Sequence, residues 1–395
     1  MNRIAVTGIG MFSAIGNDVH EHLVSLNQGR SGIGRLENFQ TRYAEIRPVG
    51  EIKMANEDIK ECLKLKEMGI TRTTLIAMKA FLEATSMASL DNELISGRDT
   101  AIINANTVGG MCLTDEMYAE SKPENPPSPY ISSYSYAATG IFFQKYFAAK
   151  GIINTINTAC SSSANSIMFG ARLMKAGIAR RAIVGGSDSL AKLTINGFNA
   201  LHILSAEPCR PFDAERCGLN LGEAGAYLVL EWEKDARDKK IYGYLSGYAN
   251  TNDSFHASSL SPDGRGPKLA MERALKRAEL PAEKIDYINA HGTATENNDL
   301  VESVAMKNIF ERVPPFNSTK CLTGHTLGAA GSLEAAISLL AMHNQTIFPA
   351  VNYANPIPET MLVPVTENTA TTISHVMSNS FGFGGNCSSL IFSKA

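Results

Sequence analysis

The sequence predicts an α/β protein built from two similar halves, residues 1–238 and 239–395. Short apolar, β-branched runs alternate with longer stretches of helix-forming residues, which is the pattern of strands and helices packed in layers. This alternation occurs twice, and a chain of 395 residues is longer than one ordinary domain. Each half is therefore expected to hold its own sheet, with buried helices between the two.

Apolar runs and helical spacing give the order of the elements. The first half predicts strands over residues 4–7, 99–106, 151–158, 182–186 and 227–231, and helices over 18–28, 56–65, 73–89, 136–150 and 161–176. After a charged crossover at 233–240, the second half predicts strands over 242–250 and 285–290 and helices over 268–278 and 333–343. Prolines in residues 121–130 exclude a regular helix or a central strand there and predict a surface loop.

Composition excludes several classes of function. A net charge of −3 gives no reason to expect nucleic acid or an anionic membrane as a partner. The seven cysteines form no CxxC pair, so neither a zinc site nor a disulfide framework is predicted. No apolar run approaches the roughly 20 residues of a membrane span. The N-terminus also lacks a signal-peptide pattern, so we expect a cytoplasmic protein.

Cys160 is the first candidate for chemistry. It follows the predicted strand 151–158 and immediately precedes the predicted helix 161–176, so its thiol lies at a helix start. Unpaired N–H groups and the helix dipole favour a thiolate there, and the thiolate is the nucleophilic form of cysteine. The alternative is a buried structural cysteine, which is the usual role of a cysteine considered alone.

Three later stretches combine with Cys160. They are NAHGTAT at residues 289–295, STKCLTGHTLGAAG at residues 318–331 and NSFGFGGN at residues 379–386. Each one alone has an ordinary structural interpretation, as a satisfied polar group, a close helix contact or a tight loop. Their occurrence together, in this order after Cys160, favours a shared site.

These stretches resemble the elongating β-ketoacyl-[acyl carrier protein] synthases, the type I/II ketosynthases of fatty-acid and polyketide synthesis, which share the thiolase fold. The similarity runs nearly end to end, from residues 6–10 through 158–163 and 209–213 to 381–385. It implies a thiolase-like fold of two halves, each with a five-stranded mixed sheet, in αβαβα layers. Residues 296–299 lack the Pro and Gly common in fatty-acid enzymes, which favours a specialised polyene or polyketide pathway.

The resemblance implies a decarboxylative Claisen condensation. Cys160 would hold an acyl group, and His291 and His325 would hold the enolate formed when malonyl-[acyl carrier protein] loses CO₂. To donate hydrogen bonds, each neutral histidine needs a neighbour that fixes its tautomer. The backbone N–H groups of Cys160 and Phe383 match the oxyanion hole, and Phe383 matches the gate of the acyl pocket.

Other residues match supporting positions of the same family. Lys320, Glu334 and Asp299 match the buried charged support, and the spacing of five residues is expected to place Lys320 near His325. Ser258, Thr293 and Thr295 match positions that bind the malonyl carboxylate and the phosphopantetheine arm. Val108 and Met111 are candidates for lining the acyl pocket. Because carrier proteins are acidic, we expect a basic docking patch, with the candidates Lys64, Lys66, Arg72, Arg180 and Arg181.

Partners and alternatives also follow from the resemblance. It implies a homodimer, or a heterodimer with a cysteine-lacking homologue, that acts on acyl carrier protein without a metal or another cofactor.

A non-catalytic chain-length-determining subunit is disfavoured by Cys160, and a CoA-dependent thiolase would need a second catalytic cysteine, for which Cys387 is the candidate. A dinucleotide-dependent enzyme is disfavoured because the GxG at Gly8 and Gly10 lacks its third glycine. Asn386 and Cys387 replace the Thr-Asn of many relatives, which leaves the gating contacts open.

Overall fold

A computed structural model describes residues 3–114, 117–118 and 128–395 of the chain. The strands are β1 Ile4–Ser13, β2 Ile33–Gly34, β3 Val49–Gly50, β4 Thr100–Ala105, β5 Ile153–Ile156, β6 Arg181–Asp188, β7 Ala224–Trp232, β8 Gly243–Asn252, β9 Tyr287–Asn289, β10 Phe316–Asn317, β11 Thr346–Ile347, β12 Thr369–Ala370, β13 His375–Gly382 and β14 Asn386–Ser393. The helices are α1 Val19–Gln28, α2 Asn56–Leu63, α3 Arg72–Met87, α4 Asn92–Ser96, α5 Ala138–Tyr146, α6 Ser162–Lys175, α7 Lys192–Ala200, α8 Arg265–Ala278, α9 Glu296–Ile309, α10 Lys320–Thr323 and α11 Ala330–Asn344.

The strands of the two halves form two five-stranded arrays with the same order. The first array is ordered β5-β4-β6-β7-β1 and the second β10-β9-β13-β14-β8. In both arrays the first two pairings are parallel and the last two are antiparallel. This repetition confirms two similar halves, each with a five-stranded mixed sheet. The arrays also join edge to edge, because two residues of β1, Ala5 and Val6, pair with Tyr244 and Gly243 of β8.

Helices cover both arrays and fill the space between them, as predicted. Helix α3 packs on β1 and β7, and α8 packs on β8 and β14. Helix α6 packs on β4 and β6, α11 packs on β13 and β7, and the two helices contact each other. A Cβ at Gly331 would lie only 2.6 Å from the backbone nitrogen of Ala164, so glycine permits this close crossing. The small residues that follow Cys160 therefore serve helix packing.

Most predicted elements are present, with shifted ends. The strand predicted at 151–158 is reduced to β5, and the helix predicted at 136–150 is reduced to α5. Of the predicted loop at 121–130, only residues 128–130 are described, with a turn at 129–130, and the rest lies outside the described residues. Over the ranges that the structure describes, no helix combines the length and the apolar character of a membrane span.

Candidate active site

Cys160 lies in a tight turn between β5 and α6. Ala159 before it has a φ of +53°, a left-handed conformation that costs a non-glycine residue roughly 1–2 kcal/mol. The cysteine is buried, and the backbone N–H groups of Phe383 and of Cys160 itself act on its Sγ so as to lower the pKa of the thiol. These are the two donors that the resemblance assigned to the oxyanion hole.

The helix start does not by itself ionise Cys160. Burial raises the pKa of the thiol to about 11, although the charge of Lys320 and the N–H groups of Phe383 and Cys160 act in the opposite direction. Helix α6 begins at Ser162, two residues beyond the cysteine. The resting side chain at neutral pH is therefore the thiol and not the predicted thiolate, so the proton has to leave during acyl transfer.

The glycine-rich loop between β13 and β14 lies directly against the cysteine turn. A Cβ at Gly382 would lie 2.7 Å from a backbone oxygen of that turn, so only glycine permits the contact. The Oδ1 atom of Asn386 accepts hydrogen bonds from Ser161 at 2.7 Å, Asn165 at 3.0 Å and Asn250 at 2.6 Å. The unusual Asn386 therefore fastens this loop to both halves of the chain.

His291 lies just beyond β9, and its ring and main chain are both held. Glu302 accepts the N–H groups of His291 and Gly292, each at 2.9 Å. Lys320 Nζ lies 2.6 Å from the His291 carbonyl and 3.2 Å from His291 Nδ1, and it also binds the Glu334 carboxylate. An ammonium has three protons, and each has an acceptor here. Nδ1 of His291 is therefore an acceptor, which leaves the ring proton on Nε2.

His325 has the same tautomer through a different donor. The backbone N–H of Leu327 donates to His325 Nδ1 at 3.0 Å, so the ring proton is again on Nε2. The main chain of His325 is held by Asn220 at 2.7 Å and by Gly222 at 2.9 Å. Lys320 makes its hydrogen bonds to His291 and Glu334, and it also lies near enough to His325 for its charge to lower the pKa of that ring, as the spacing predicted.

The electrostatic environment keeps both histidines neutral. Burial, and after it the positive charge of Lys320, holds the pKa of His291 and of His325 well below 6.5. Burial also raises the pKa of Glu334 to about 7, against the effect of Lys320. At neutral pH the site therefore offers two uncharged N–H donors beside one buried cation.

The thiol and the two rings converge on one point. Cys160 Sγ and one ring nitrogen of each histidine lie within 4.8 Å of one another, and the ring centroids of His291 and His325 are 5.5 Å apart. Cysteine and histidine also bind metals, but a ligating nitrogen needs a free lone pair. Each Nδ1 lone pair is already used, so the remaining Nε2–H groups suit an anionic oxygen.

A cavity of about 400 Å³ reaches these groups. Three of its lining residues, Ser258, Thr293 and Thr295, are those predicted to bind substrate. Phe383 also lines the cavity and stacks on Phe198, with ring centroids 5.8 Å apart. Cys160, the predicted gate Phe383 and the predicted substrate residues therefore line one cavity.

Two predicted pocket residues do not line this cavity. Val108 is fully buried, and Met111 is partly buried beside it, in an apolar cluster that includes Leu190 and Leu327. Neither residue is in the lining of the cavity at Cys160. That they line the pocket for the acyl chain stays a prediction.

Two of the predicted docking residues are also buried. Arg72 makes an ion pair with Glu223, and its side chain is only 10% exposed. Arg181 is 8% exposed and lies between Asp99 and Glu231. Both are structural cations, so the prediction that they dock a carrier protein is wrong.

The other three docking candidates are exposed. Arg180 binds Asp235 at 2.9 Å, and both Lys64 and Lys66 lie on the surface. For these three residues, docking stays a prediction.

Two carboxylates of α9 organise the loop that carries His291. Asp299, a predicted supporting residue, accepts the N–H of Phe212 at 2.7 Å and that of Ala294 at 3.1 Å. Glu302 has the equivalent role at His291, and the sequence analysis missed it. The two carboxylates are one helical turn apart after the HGTAT stretch, a spacing that places both on one face. That spacing was the signal that could have identified Glu302.

The family models that match this chain, and two of its relatives, are β-ketoacyl synthases. The family model "Beta-ketoacyl synthase, N-terminal domain" matches residues 1–236, and its C-terminal counterpart matches residues 242–354. A 3-oxoacyl-[acyl-carrier-protein] synthase 2 of Synechocystis sp. is 33% identical over 410 residues, covering 99% of this chain and 98% of the relative. The enzyme of the same name from Staphylococcus aureus has the same identity and coverage.

Solved structures agree with these relatives. The ishigamide ketosynthase/chain length factor has a TM-score of 0.94 and 26% identity, covering 100% of this chain and 99% of that chain. A ketosynthase in complex with its type II polyketide acyl-carrier protein, bound to a hexaketide, has a TM-score of 0.90 and 27% identity, with full coverage of both chains. A ketosynthase bound to its chain length factor, from Xenorhabdus doucetiae, has a TM-score of 0.86 and 29% identity, covering 100% and 98%.

The thiolase alternative lacks its second cysteine at this site. Cys387 is buried in β14 and does not line the cavity that holds Cys160. The paired histidines, the matched domains and the full-length relatives point to the other branch of the fold. The chain belongs to the β-ketoacyl synthase family.

Proposed function

We propose that the protein catalyses a decarboxylative Claisen condensation between an acyl group on Cys160 and malonyl-[acyl carrier protein], giving β-ketoacyl-[acyl carrier protein]. The observation that carries this proposal is the convergence of one thiol and one ring nitrogen of each histidine within 4.8 Å, beside rings whose Nδ1 atoms already accept hydrogen bonds. A nucleophile that sits beside neutral hydrogen-bond donors suits acyl transfer followed by stabilisation of an enolate.

The first half-reaction moves the acyl group onto the enzyme. The Cys160 sulfur attacks the thioester carbonyl of the acyl carrier, and the N–H groups of Cys160 and Phe383 hold the oxyanion of the tetrahedral intermediate. When the intermediate collapses, the carrier's sulfur leaves and takes up the proton that the cysteine gave up. The net change is one thioester exchanged for another, with no charge left in the buried site.

The second half-reaction forms the carbon–carbon bond. The malonyl group loses CO₂, and the electron pair of the broken bond forms an enolate whose oxygen accepts from the Nε2–H groups of His291 and His325. The enolate carbon attacks the acyl carbonyl, the Cys160–acyl bond breaks, and the released sulfur takes a proton from solvent. Loss of CO₂ generates the carbanion, so neither histidine has to act as a strong base.

The gate between these steps is assigned to Phe383. Gly384 follows it with a φ of +79° and with no atom near the position of a Cβ. A backbone with this freedom permits the Phe383 ring to leave its stack on Phe198 when an acyl chain enters. Cavity-lining side chains such as Leu201, Ile203 and Leu219 give the acyl chain an apolar wall.

We also propose a dimer in which this chain is the catalytic member. Within the described ranges, β5 is an edge strand that pairs only with β4, and such an edge is suited to pairing with a second chain. Two of the similar structures, the ishigamide protein and the Xenorhabdus doucetiae protein, contain a ketosynthase with its chain length factor. The presence of Cys160 assigns the catalytic role to this chain, with either a second copy or a homologous subunit as its partner.

The test separates the two half-reactions. Cys160→Ala should abolish acyl transfer from an acyl carrier, measured by intact mass, while malonyl-carrier decarboxylation persists. His291→Ala and His325→Ala should retain acylation of Cys160 and lose decarboxylation. Equal loss of both half-reactions in all three variants would reject this division of roles.

A panel of acyl-carrier proteins then assigns the pathway. Short, long, saturated and polyunsaturated acyl carriers are incubated with the protein, and peptide mapping identifies the group on Cys160. Saturated chains would assign fatty-acid synthesis, and conjugated chains would assign a polyene pathway. Acylation that occurs only after a homologous subunit is added would favour the heterodimer.

A further inference from the structure

Asp188 is a buried carboxylate outside the groups that touch substrate. It is the last residue of β6 and has no exposed surface. One oxygen, Oδ1, accepts the backbone N–H groups of Thr107 at 2.9 Å and Val108 at 2.8 Å. The other, Oδ2, accepts the Thr107 hydroxyl at 2.6 Å and the backbone N–H of Gly328 at 2.7 Å.

This carboxylate is held by neutral donors alone. In the described part of the chain no lysine, arginine or histidine lies within ion-pair distance of Asp188. A buried carboxylate without a cation is costly unless its lone pairs are filled, and here four donors fill them. An apolar residue at this position would leave the four donors without an acceptor, so the carboxylate is what holds together the segments that carry them.

The geometry leads to His325. Gly328 follows Leu327, whose N–H donates to His325 Nδ1 at 3.0 Å. Leu327 has a φ of +52°, a strained conformation for leucine that the surrounding contacts have to maintain. A Cβ at Gly328 would lie 2.7 Å from Asp188 Oδ2, so the glycine lets the carboxylate reach this peptide.

The Asp188 carboxylate also holds the segment that follows β4. Thr107 and Val108 follow β4, and the Val108 side chain packs with Leu327 in one apolar cluster. Asp188 therefore joins three segments at one point: the ends of β4 and β6 and the turn after His325. A shift of any one segment changes where the Leu327 N–H points.

We propose that Asp188 is a positioning residue for His325. By holding the Leu327–Gly328 backbone, it keeps the Leu327 N–H on Nδ1 and so keeps the catalytic proton on Nε2, facing Cys160. The consequence for catalysis rests on the proposed function, whereas the consequence for the tautomer does not. Asp188 touches no substrate and acts only through this backbone.

The decisive variant is Asp188→Asn. An asparagine has one acceptor oxygen, and its NH₂ group would face the N–H donors that Asp188 now accepts. The matched control is Thr107→Val, which removes the 2.6 Å hydroxyl contact to the same carboxylate but leaves the Gly328 contact. Gly328→Ala perturbs the other partner of the same hydrogen bond, because its methyl group would push the Gly328 N–H away from Asp188 Oδ2. This variant replaces Asp188→Asn in the test if Asp188→Asn does not fold.

Two readouts are required. The first is the rate of malonyl-carrier decarboxylation divided by the rate of Cys160 acylation. We expect this ratio to fall about tenfold in Asp188→Asn and in Gly328→Ala. That is a part of the roughly 10²- to 10³-fold loss of rate that follows when one oxyanion-hole donor is removed. In Thr107→Val the ratio should stay unchanged. The KM for malonyl carrier should stay the same, because the lost interaction is made in the transition state.

The second readout is the tautomer itself. Long-range ¹H–¹⁵N spectra of ¹⁵N-histidine-labelled protein distinguish the two ring nitrogens, and a His325→Asn variant assigns the signal. We expect protonated Nε2 in the wild type and a mixture in Asp188→Asn. An unchanged His325 signal, or an equal slowing of both half-reactions, would overturn the proposal. A wild type without any decarboxylation would instead reject the proposed function and leave the tautomer test standing.

Discussion

Replacing Lys320 with methionine tests how the buried ion pair supports His291. Lys320 Nζ binds the Glu334 carboxylate, the His291 carbonyl and His291 Nδ1, so the substitution removes three hydrogen bonds at once. It leaves Glu334 buried without its cation, and breaking a buried pair costs about 3–5 kcal/mol. The pKa of Glu334 is already about 7, so without Lys320 its carboxyl takes up a proton at neutral pH and no charge stays buried. We therefore expect the free energy of unfolding to fall by the low end of that range, about 3 kcal/mol.

A double variant separates stability from catalysis. In Lys320→Met/Glu334→Leu both charges are gone, and replacing a buried ion pair with apolar groups is often nearly neutral, so stability should return to within about 1 kcal/mol of the wild type. Glu334 Oε2 has no hydrogen-bond partner among the described residues, so the leucine breaks no further contact. His291 Nδ1 still lacks its donor, so decarboxylation should stay about 10²-fold below the wild type.

The assays are chemical denaturation at pH 7 and release of CO₂ from malonyl-carrier protein. Acylation of Cys160, followed by intact mass, measures the separate effect of the lost Lys320 charge on the thiol, and the loss of decarboxylation is expressed relative to it. If the double variant recovered decarboxylation together with stability, Lys320 would be a structural residue, and the tautomer argument for His291 would fail.

Three further predictions concern the ionisation of Cys160, helix packing and the buried Arg72–Glu223 ion pair. The rate of Cys160 alkylation should keep rising between pH 8 and 10, because the raised pKa of the thiol is about 11 and the reactive thiolate forms only as pH increases. Lys320→Met should shift this rise to higher pH, because the charge of Lys320 lowers the pKa of Cys160. Gly331→Ala should destabilise the protein by about 1–3 kcal/mol in thermal or urea unfolding because its Cβ meets Ala164, whereas Gly197→Ala, a helical position with open space, should be neutral or stabilising. Arg72→Ala should lower stability by about 3 kcal/mol and leave carrier affinity in a titration unchanged; weaker carrier binding at unchanged stability would contradict the structural role.

The sequence was sufficient for the residues that react. Cys160, His291, His325 and Lys320 were predicted because their stretches occur together, in an order that resembles the β-ketoacyl synthases, and the structure brings these four residues together. The repeated alternation of strands and helices was also predictable in outline, because buried strands have continuous apolar runs, whereas the strand order was not. The partners of these residues were harder to predict, since they depend on how distant segments meet.

Three differences show what sequence spacing lacks. A separation of five residues predicted that Lys320 lies near His325, but it did not show that the lysine's hydrogen bonds go to His291 and Glu334. Arg72 looked like a surface cation, because its partner Glu223 is 151 positions away. The helix start suggested a thiolate at Cys160, whereas the burial that raises its pKa is a property of the assembled layers.

A single-turnover chase tests the proposed condensation most directly. The protein is first acylated on Cys160 with a matched acyl carrier, freed of excess donor, and then mixed with malonyl-carrier protein. We expect that the acyl mass leaves Cys160 as CO₂ is released and that a β-ketoacyl carrier two carbons longer appears in equal amount. Release of the acyl group as free acid, or CO₂ release while the group stays on Cys160, would contradict it.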